Sequence, residues 1–323
     1  MRQEMRNALI HIIFLLMLVP LTSAGQEDTG TSSRISLGYP VYSQYLQNGL
    51  MINPAYAGSR EALSMMVSHR SQWIGMASAP LLQSLSAHSP MKNDKVALGL
   101  KAQFMTYGAT KESSIYAVYA YHIRVNRGKL SLGISGGVDI SNTDYSILQG
   151  ITLPDPVFTP NDKAYTMPNV TAGAYYFEKR FFAGLSVPAF MSYLNTGNGN
   201  IEMTHSLEAY SFIATTGGLI TFSDDFKFKP SALVQYSVSE GVEKLDINGN
   251  FIISDLIWVG GSWRCTEDVV VGLVQANLNQ QLMVGFSYDY PLGKMNSVTK
   301  GSIEIVLRYE LGSKVSAADP RYF

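Results

Sequence analysis

Cysteine and charge are both scarce in this chain of 323 residues. Its single cysteine, Cys265, excludes an internal disulfide and a cysteine-rich metal site. Charged residues make up 15% of the sequence, whereas soluble domains carry roughly 25%. The formal net charge of −1 lacks the basic excess that nucleic-acid binding requires, so we expect no nucleic-acid partner.

Apolar runs long enough to cross a bilayer as a helix are also missing. The longest apolar run, Ala8 to Leu21, follows a basic start and precedes Thr22-Ser23-Ala24. This order is typical of a secretory signal peptide, which we place at residues 1–24. An uncleaved anchor helix is the alternative, although the run is short for that role.

Apolar residues nevertheless make up 46% of the chain, and many of them alternate with polar ones. The clearest case is Ser302–Leu311, whose length suits a membrane-crossing strand of about ten residues. One predicted face is apolar and carries Ile303, Ile305, Leu307, Tyr309 and Leu311. The opposite face is polar and carries Ser302, Glu304, Arg308 and Glu310. Such a strand fits a wall between hydrocarbon and water, although half-buried strands of soluble sandwiches alternate as well.

The same alternation recurs along most of the chain, and its repetition decides between these two interpretations. It predicts an all-β protein, an antiparallel transmembrane outer-membrane β-barrel of about 14 strands. The strands are expected to begin near residues 61, 80, 95, 111, 128, 169, 180, 206, 226, 241, 256, 268, 280 and 301.

Counted from the first strand, every even-numbered predicted connection is short, and every long one is odd-numbered. All the long ones, 71–79, 141–168, 189–205 and 289–300, fall at the same end of the predicted barrel. Outer-membrane barrels place short turns in the periplasm and long loops outside, so both termini are expected in the periplasm. The chain then divides into a signal peptide (1–24), a periplasmic segment at the barrel mouth (25–60), the barrel (61–311) and a periplasmic tail (312–323).

Signatures of catalysis are absent from the sequence. It contains no zinc-protease helix motif, no nucleophile elbow and no phosphate-binding glycine loop. The start of a calcium loop at Asp246 fails because Phe251 stands where that loop needs glycine. The histidines His69, His88, His122 and His205 lie on separate segments without a local partner. We therefore expect no enzyme, no cofactor and no metal site.

Several charged residues fall on predicted inward faces. They are Lys101, Arg124, Asp139, Glu304 and Arg308. A barrel of about fourteen strands is wide enough to carry a small solute, and lumen charges would then tune its selectivity. An outer-membrane transporter or diffusion channel is thus one functional hypothesis. The bulky inward residues Met105, Val118 and Met283 instead favour a partly blocked lumen.

A set of motifs in fixed order distinguishes this chain from a generic barrel. Its residues are Tyr42, Gln44 and Tyr45; Asn53, Pro54, Ala55, Tyr56 and Gly58; Arg70, Gln72, Trp73 and Gly75; Pro80; Tyr288 and Asp289; and Gly301 and Glu304. In order and spacing the set resembles the PorP/SprF family of type IX secretion system membrane proteins from Bacteroidetes.

The resemblance implies a scaffold or a surface anchor. Members of the family serve a secreted protein, held through its C-terminal domain, or the trans-envelope secretion and gliding complex with its periplasmic and lipoprotein components. The loop residues Leu153, Pro154, Pro156 and Phe158 form the candidate outer partner surface, because long loops are usually functional or disordered. The alternative for this loop is a plug folded into the lumen.

Two motifs also have a local physical interpretation. Pro54 fixes φ and Gly58 frees the backbone, so the segment before the first strand is expected to turn. Arg70 and Trp73 flank the start of the first outer loop, where a cation–π pair would fold the loop over the lumen. An interface anchor and a direct partner contact are the alternatives for this pair.

Overall fold

The computed structural model describes residues 33–35, 41–91, 94–144, 164–195, 201–204 and 209–311. In this part of the chain, fourteen antiparallel strands form one sheet that closes on itself. They are β1 Leu63–Ser71, β2 Leu81–Pro90, β3 Val96–Tyr107, β4 Thr110–Val125, β5 Gly128–Thr143, β6 Ala164–Glu178, β7 Phe181–Val187, β8 Ser211–Gly218, β9 Phe226–Ser237, β10 Gly241–Ile253, β11 Ile257–Arg264, β12 Val269–Asn277, β13 Leu282–Pro291 and β14 Ser302–Leu311.

Each strand pairs with its neighbours in sequence, and β14 closes the barrel by pairing with β1. The register of that closure sets Glu304 opposite Arg70 and Leu311 opposite Leu63. The predicted all-β antiparallel barrel of about fourteen strands is therefore confirmed. Closure pairs the first strand with the last, so the sheet has no open edge strand, as a membrane-spanning sheet requires.

Apolar and polar residues occupy opposite faces of the wall. On β14, Ile305 and Leu307 are exposed on the outside, whereas Glu304, Val306 and Arg308 are buried inside. The outer face suits lipid, because lipid-facing and lumen-facing residues alternate along every strand of such a barrel.

The connections differ in length between the two ends of the barrel. One end carries all the long connections, 72–80, 144–163, 188–210 and 292–301, together with the shorter 108–109, 238–240 and 265–268, and we call it the long-loop end. The other carries 91–95, 126–127, 179–180, 219–225, 254–256 and 278–281, and we call it the short-turn end. The segregation of loops expected from the sequence is thus present.

Two strands begin about five residues from their expected positions. β6 was expected near residue 169 but begins at Ala164, and β8 was expected near 206 but begins at Ser211. Pro168, the last residue of the predicted connection 141–168, pairs with Val138 within β6. Since β7 joins β6 only from Ala172 onward, Pro168 lies on an edge stretch, where a missing N–H is tolerated.

Smaller elements complete the described fold. Ser192–Asn195 pairs with both Ser33–Ile35 and Ile201–Thr204 in a three-stranded antiparallel sheet. A two-residue strand, Ile220–Thr221, pairs with β9. The helical elements among the described residues are Gly49–Ile52, Pro54–Tyr56 and Lys294–Ser297. None of the described helices has the length and apolar character needed to cross a membrane.

Some sequence predictions fall outside the described residues. These are the signal peptide (1–24), the tail (312–323), His205 and the loop residues Leu153, Pro154, Pro156 and Phe158.

Candidate functional site

Residues 41–60, which we call the plug segment, lie inside the barrel. The segment was expected at the barrel mouth, yet most of its side chains are buried, including Tyr42, Gln44, Asn53 and Tyr56. It turns at Ser43–Gln47 and continues as two short helices, Gly49–Ile52 and Pro54–Tyr56. It fills the lumen with protein.

Asn53 and Pro54 fix the bend between the two helices. The Asn53 side chain accepts a hydrogen bond from the Ala55 N–H at 2.9 Å and donates one to the Ala174 carbonyl at 3.0 Å. Pro54 stands at the first position of the second helix, where its missing N–H costs nothing. This motif therefore turns the chain and also attaches it to the wall.

Four charged wall residues surround Ser43, and we call them the outer charge cluster: Arg70, Arg264, Asp289 and Glu304. Arg70 lies 2.6 Å from Asp289 and 3.4 Å from Glu304, and Arg264 lies 2.8 Å from Asp289. All four are close to the long-loop ends of their strands. Arg264 also lies 3.4 Å from Asp246 and 3.7 Å from Glu267. Each cation is thus paired with carboxylates, which is what allows these charges to be buried.

The plug segment enters this cluster through Ser43. Its backbone N–H donates to Glu304 at 2.7 Å, and its hydroxyl donates to Asp289 at 2.7 Å. The same hydroxyl accepts from Arg70 at 2.7 Å. Next to Ser43, the Tyr42 hydroxyl donates to Gln103 at 2.7 Å.

A second group of charges, the inner charge cluster, lies toward the short-turn end. It consists of Arg60, Arg308 and Glu310, with Glu310 2.7 Å from Arg60 and 3.2 Å from Arg308. Arg308 also donates to the Gln47 side chain, so this cluster too joins the plug segment to the wall.

Histidines and glycines of the wall receive the rest of the plug segment. The Gly58 N–H donates to His88 Nδ1 at 3.0 Å, and His122 Nε2 lies 2.9 Å from the Ala57 carbonyl. Gly133 of β5 leaves room for the backbone, since a Cβ there would come within 2.3 Å of the Ala55 nitrogen. These histidines hold the plug segment.

The remaining motif residues support the first long connection. The Gln72 N–H donates to the Pro80 carbonyl at 2.9 Å, and the Trp73 N–H donates to Ser302 Oγ at 3.1 Å. Tyr288 donates to the Lys300 carbonyl. Gly75 and Gly301 both have positive φ, 98° and 93°.

The expected contact between Arg70 and Trp73 is replaced by other partners. Arg70 is 2% exposed and its guanidinium bonds to carboxylates inside the barrel, while Trp73 is 37% exposed. A buried cation gains more from carboxylates at hydrogen-bond distance than from an exposed ring.

The charged residues that were predicted to face the lumen lie in different surroundings. Lys101 lies 5.1 Å from the Tyr116 ring centroid, and Tyr116 donates to Asp139 at 2.5 Å. Arg124 is exposed at the short-turn end of β4. Glu304 and Arg308 belong to the outer and inner charge clusters. Asp246 and Asn250, which resembled a calcium loop, lie on β10 with buried side chains.

An open cavity of about 120 Å³ lies between the plug segment and the long-loop end. Tyr42, Tyr45 and Ile52 form its floor, and Lys101, Asp139 and Lys244 are among its walls. Among the described residues, no three His, Cys, Asp or Glu side chains are grouped as a metal site would need. The cavity lining combines charged and apolar side chains.

Sequence reasoning missed Arg60, Gln47 and Arg264. At the end of β11, Trp263 is exposed on the outside and the adjacent Arg264 is buried inside. The alternation of side chains along a strand would therefore have been enough to predict that Arg264 faces the lumen. Arg60 and Gln47 lie in an aperiodic segment, where no such signal exists.

The sequence matches the family model described as type IX secretion system membrane protein PorP/SprF over residues 35–309. Among curated proteins, no sequence matches the chain.

Similar solved structures include the toluene transporter TbuX of Ralstonia pickettii, at 11% identity and a TM-score of 0.49, covering 81% of this chain and 92% of that one. The outer membrane protein Omp33 of Acinetobacter baumannii has 9% identity and a TM-score of 0.44, covering 78% and 99%. A Pseudomonas aeruginosa FadL homologue has 11% identity and a TM-score of 0.40, covering 77% and 90%.

Proposed function

Because the chain belongs to the PorP/SprF family of type IX secretion system membrane proteins, we propose that it is a closed outer-membrane scaffold. In this role it holds a secreted protein at the cell surface, or serves the trans-envelope secretion complex, without conducting cargo through its own lumen. No catalytic step is part of this proposal.

The occupied lumen is the observation that carries the proposal. The plug segment bonds to both charge clusters, and Arg70, Glu304 and Asp289 are each about 2% exposed or less. Withdrawing the plug segment would also separate its Arg60 from Glu310 of the wall, and breaking a buried ion pair costs about 3–5 kcal/mol. A plug held in this way favours a permanent filling over a gate that opens with each transport event.

The connections 72–80 and 292–301 at the long-loop end offer a surface to a partner. The Ile74 N–H donates to the Gly301 carbonyl at 2.8 Å, and the Lys300 N–H donates to the Ile74 carbonyl at 2.8 Å, so the two connections adjoin. They expose apolar side chains of Met76, Met295 and Val298. Exposed apolar groups rimmed by polar ones are typical of protein-binding surfaces.

Co-purification in mild detergent tests the scaffold role. The wild-type protein is expected to retain a secreted protein or a periplasmic partner, and Val298→Asp is expected to weaken retention of a secreted protein at least tenfold. Met91→Asp, at an equally solvent-facing position in a short turn, is the matched control and is expected to leave that retention unchanged. Recovery of no partner by the wild-type protein would count against the proposal.

The cavity supports a second candidate, the transport of a small solute. Its charged and apolar walls suit a small amphipathic molecule, and its floor is the plug segment. Conductance in a planar bilayer separates the two functions. A scaffold is expected to show no steady open channel, whereas a stable conductance of nanosiemens scale would favour transport.

A further inference from the structure

We propose that residues 41–60 pass through the whole lumen and that residues 33–35 lie on the outer side of the membrane. This inference rests on the orientation in the proposed function, in which the long loops face outward. It reverses the side expected from the sequence, since β1 begins at the short-turn end and the preceding residues were placed in the periplasm.

The plug segment begins its passage at the short-turn end. Its last residue, Arg60, contacts Glu310, which pairs with Ser64 near the start of β1. Gly58 and Ala57 bond to His88 and His122, which lie near the short-turn ends of β2 and β4.

The middle of the plug segment bonds to the middle of the wall. Ser86 of β2 donates to the Asn48 side chain at 2.8 Å, and Ser186 of β7 donates to the Ile52 carbonyl at 2.6 Å. These contacts come from strands on different sides of the barrel, as a segment that runs along the lumen requires.

The plug segment then reaches the long-loop end. Ser43 lies among Arg70, Asp289 and Glu304, all close to the long-loop ends of their strands. Tyr42 donates a hydrogen bond to Gln103, which lies nearer the long-loop end than His88 and His122 do. From Arg60 to Tyr42 the chain has therefore crossed from one end of the barrel to the other.

Ser33–Ile35 extends this path beyond the barrel wall. It pairs with Ser192–Asn195, which belongs to the connection 188–210 between the long-loop ends of β7 and β8. Tyr193, opposite Ile35, donates to the Pro168 carbonyl near the long-loop end of β6. Residues before the plug segment thus contribute a strand to the outer surface.

Cysteine labelling on whole cells tests this path. In a Cys265→Ser background, Ser33→Cys and Arg34→Cys sample both faces of the strand, because adjacent side chains of a strand point in opposite directions. A membrane-impermeant maleimide is expected to label at least one of them on intact cells. Met295→Cys in a long connection is the outer control, and Ser223→Cys in a short turn is the periplasmic control.

The two controls separate this inference from the orientation. If Ser33→Cys and Arg34→Cys are labelled only after permeabilisation, together with Ser223→Cys, the threaded path is wrong. If Met295→Cys needs permeabilisation while Ser223→Cys does not, the orientation in the proposed function fails. In that case, the path through the lumen is still supported only if Ser33→Cys and Arg34→Cys are labelled under the same conditions as Met295→Cys.

Discussion

Arg70 shows how the surroundings of a single residue decide its role. Its place at the end of a strand suggested a surface pair with Trp73, but the guanidinium lies inside, between Asp289 and Glu304. A planar fork of donors can bond two carboxylates and the Ser43 hydroxyl at once, which a lysine ammonium does less well. Arg70 thereby joins β1, β13, β14 and the plug segment.

Replacing Arg70 with alanine is expected to destabilise the folded barrel by about 3–5 kcal/mol, because Glu304 would remain buried without its cation. Lys129→Ala removes a more exposed pair with Glu61 and is expected to cost about 1 kcal/mol or less. Urea unfolding in detergent, followed by the mobility of the folded band on gels, measures both. Equal unfolding midpoints for the two variants would contradict the role given to the cluster.

At the scale of elements, strands were predictable from the sequence and the plug segment was not. Alternation on β14 assigned Ile305 outward and Glu304 inward, because a strand in a membrane wall meets two different solvents. The plug segment meets protein on every side, so its buried tyrosines and amides follow no period. Motif residues such as Asn53 and Tyr56 marked it as specific to a family, but only the contacts reveal that it fills the lumen.

Gly133 and Gly136 on β5 provide a matched test of the fit between wall and plug segment. A Cβ at Gly133 would come within 2.3 Å of the Ala55 nitrogen, whereas a Cβ at Gly136 meets nothing within 4 Å. Gly133→Ala is expected to cost about 1–3 kcal/mol through overpacking. Gly136→Ala is expected to stay within about 0.5 kcal/mol of the wild-type protein.

Displacement of the plug segment by Gly133→Ala should also appear as transient conductance in a planar bilayer. Gly136→Ala should remain as quiet as the wild-type protein. A quiet, fully stable Gly133→Ala barrel would mean that the plug segment does not press on β5.

For the whole molecule, the low charge content and the closed wall have one cause. A barrel in lipid exposes apolar side chains over its outer belt, so charged residues are confined to the lumen, the connections and the rims. The lumen charges are then buried by the plug segment and must pair among themselves, as Arg60 and Glu310 do. The same arrangement that satisfies these charges also fills the lumen, and this filling is what the proposed scaffold role rests on.

Ile134 on the outer belt tests the assignment of that face to lipid. It is 51% exposed and lies near the middle of β5, away from both ends of the barrel. Ile134→Arg is expected to cost about 2–4 kcal/mol, because arginine near the bilayer midplane loses its hydration. Ser223→Arg, in a short turn exposed to water, is expected to change stability by no more than about 0.5 kcal/mol. Refolding into lipid vesicles with increasing urea measures both, and an Ile134→Arg barrel as stable as Ser223→Arg would mean that this face meets water or protein.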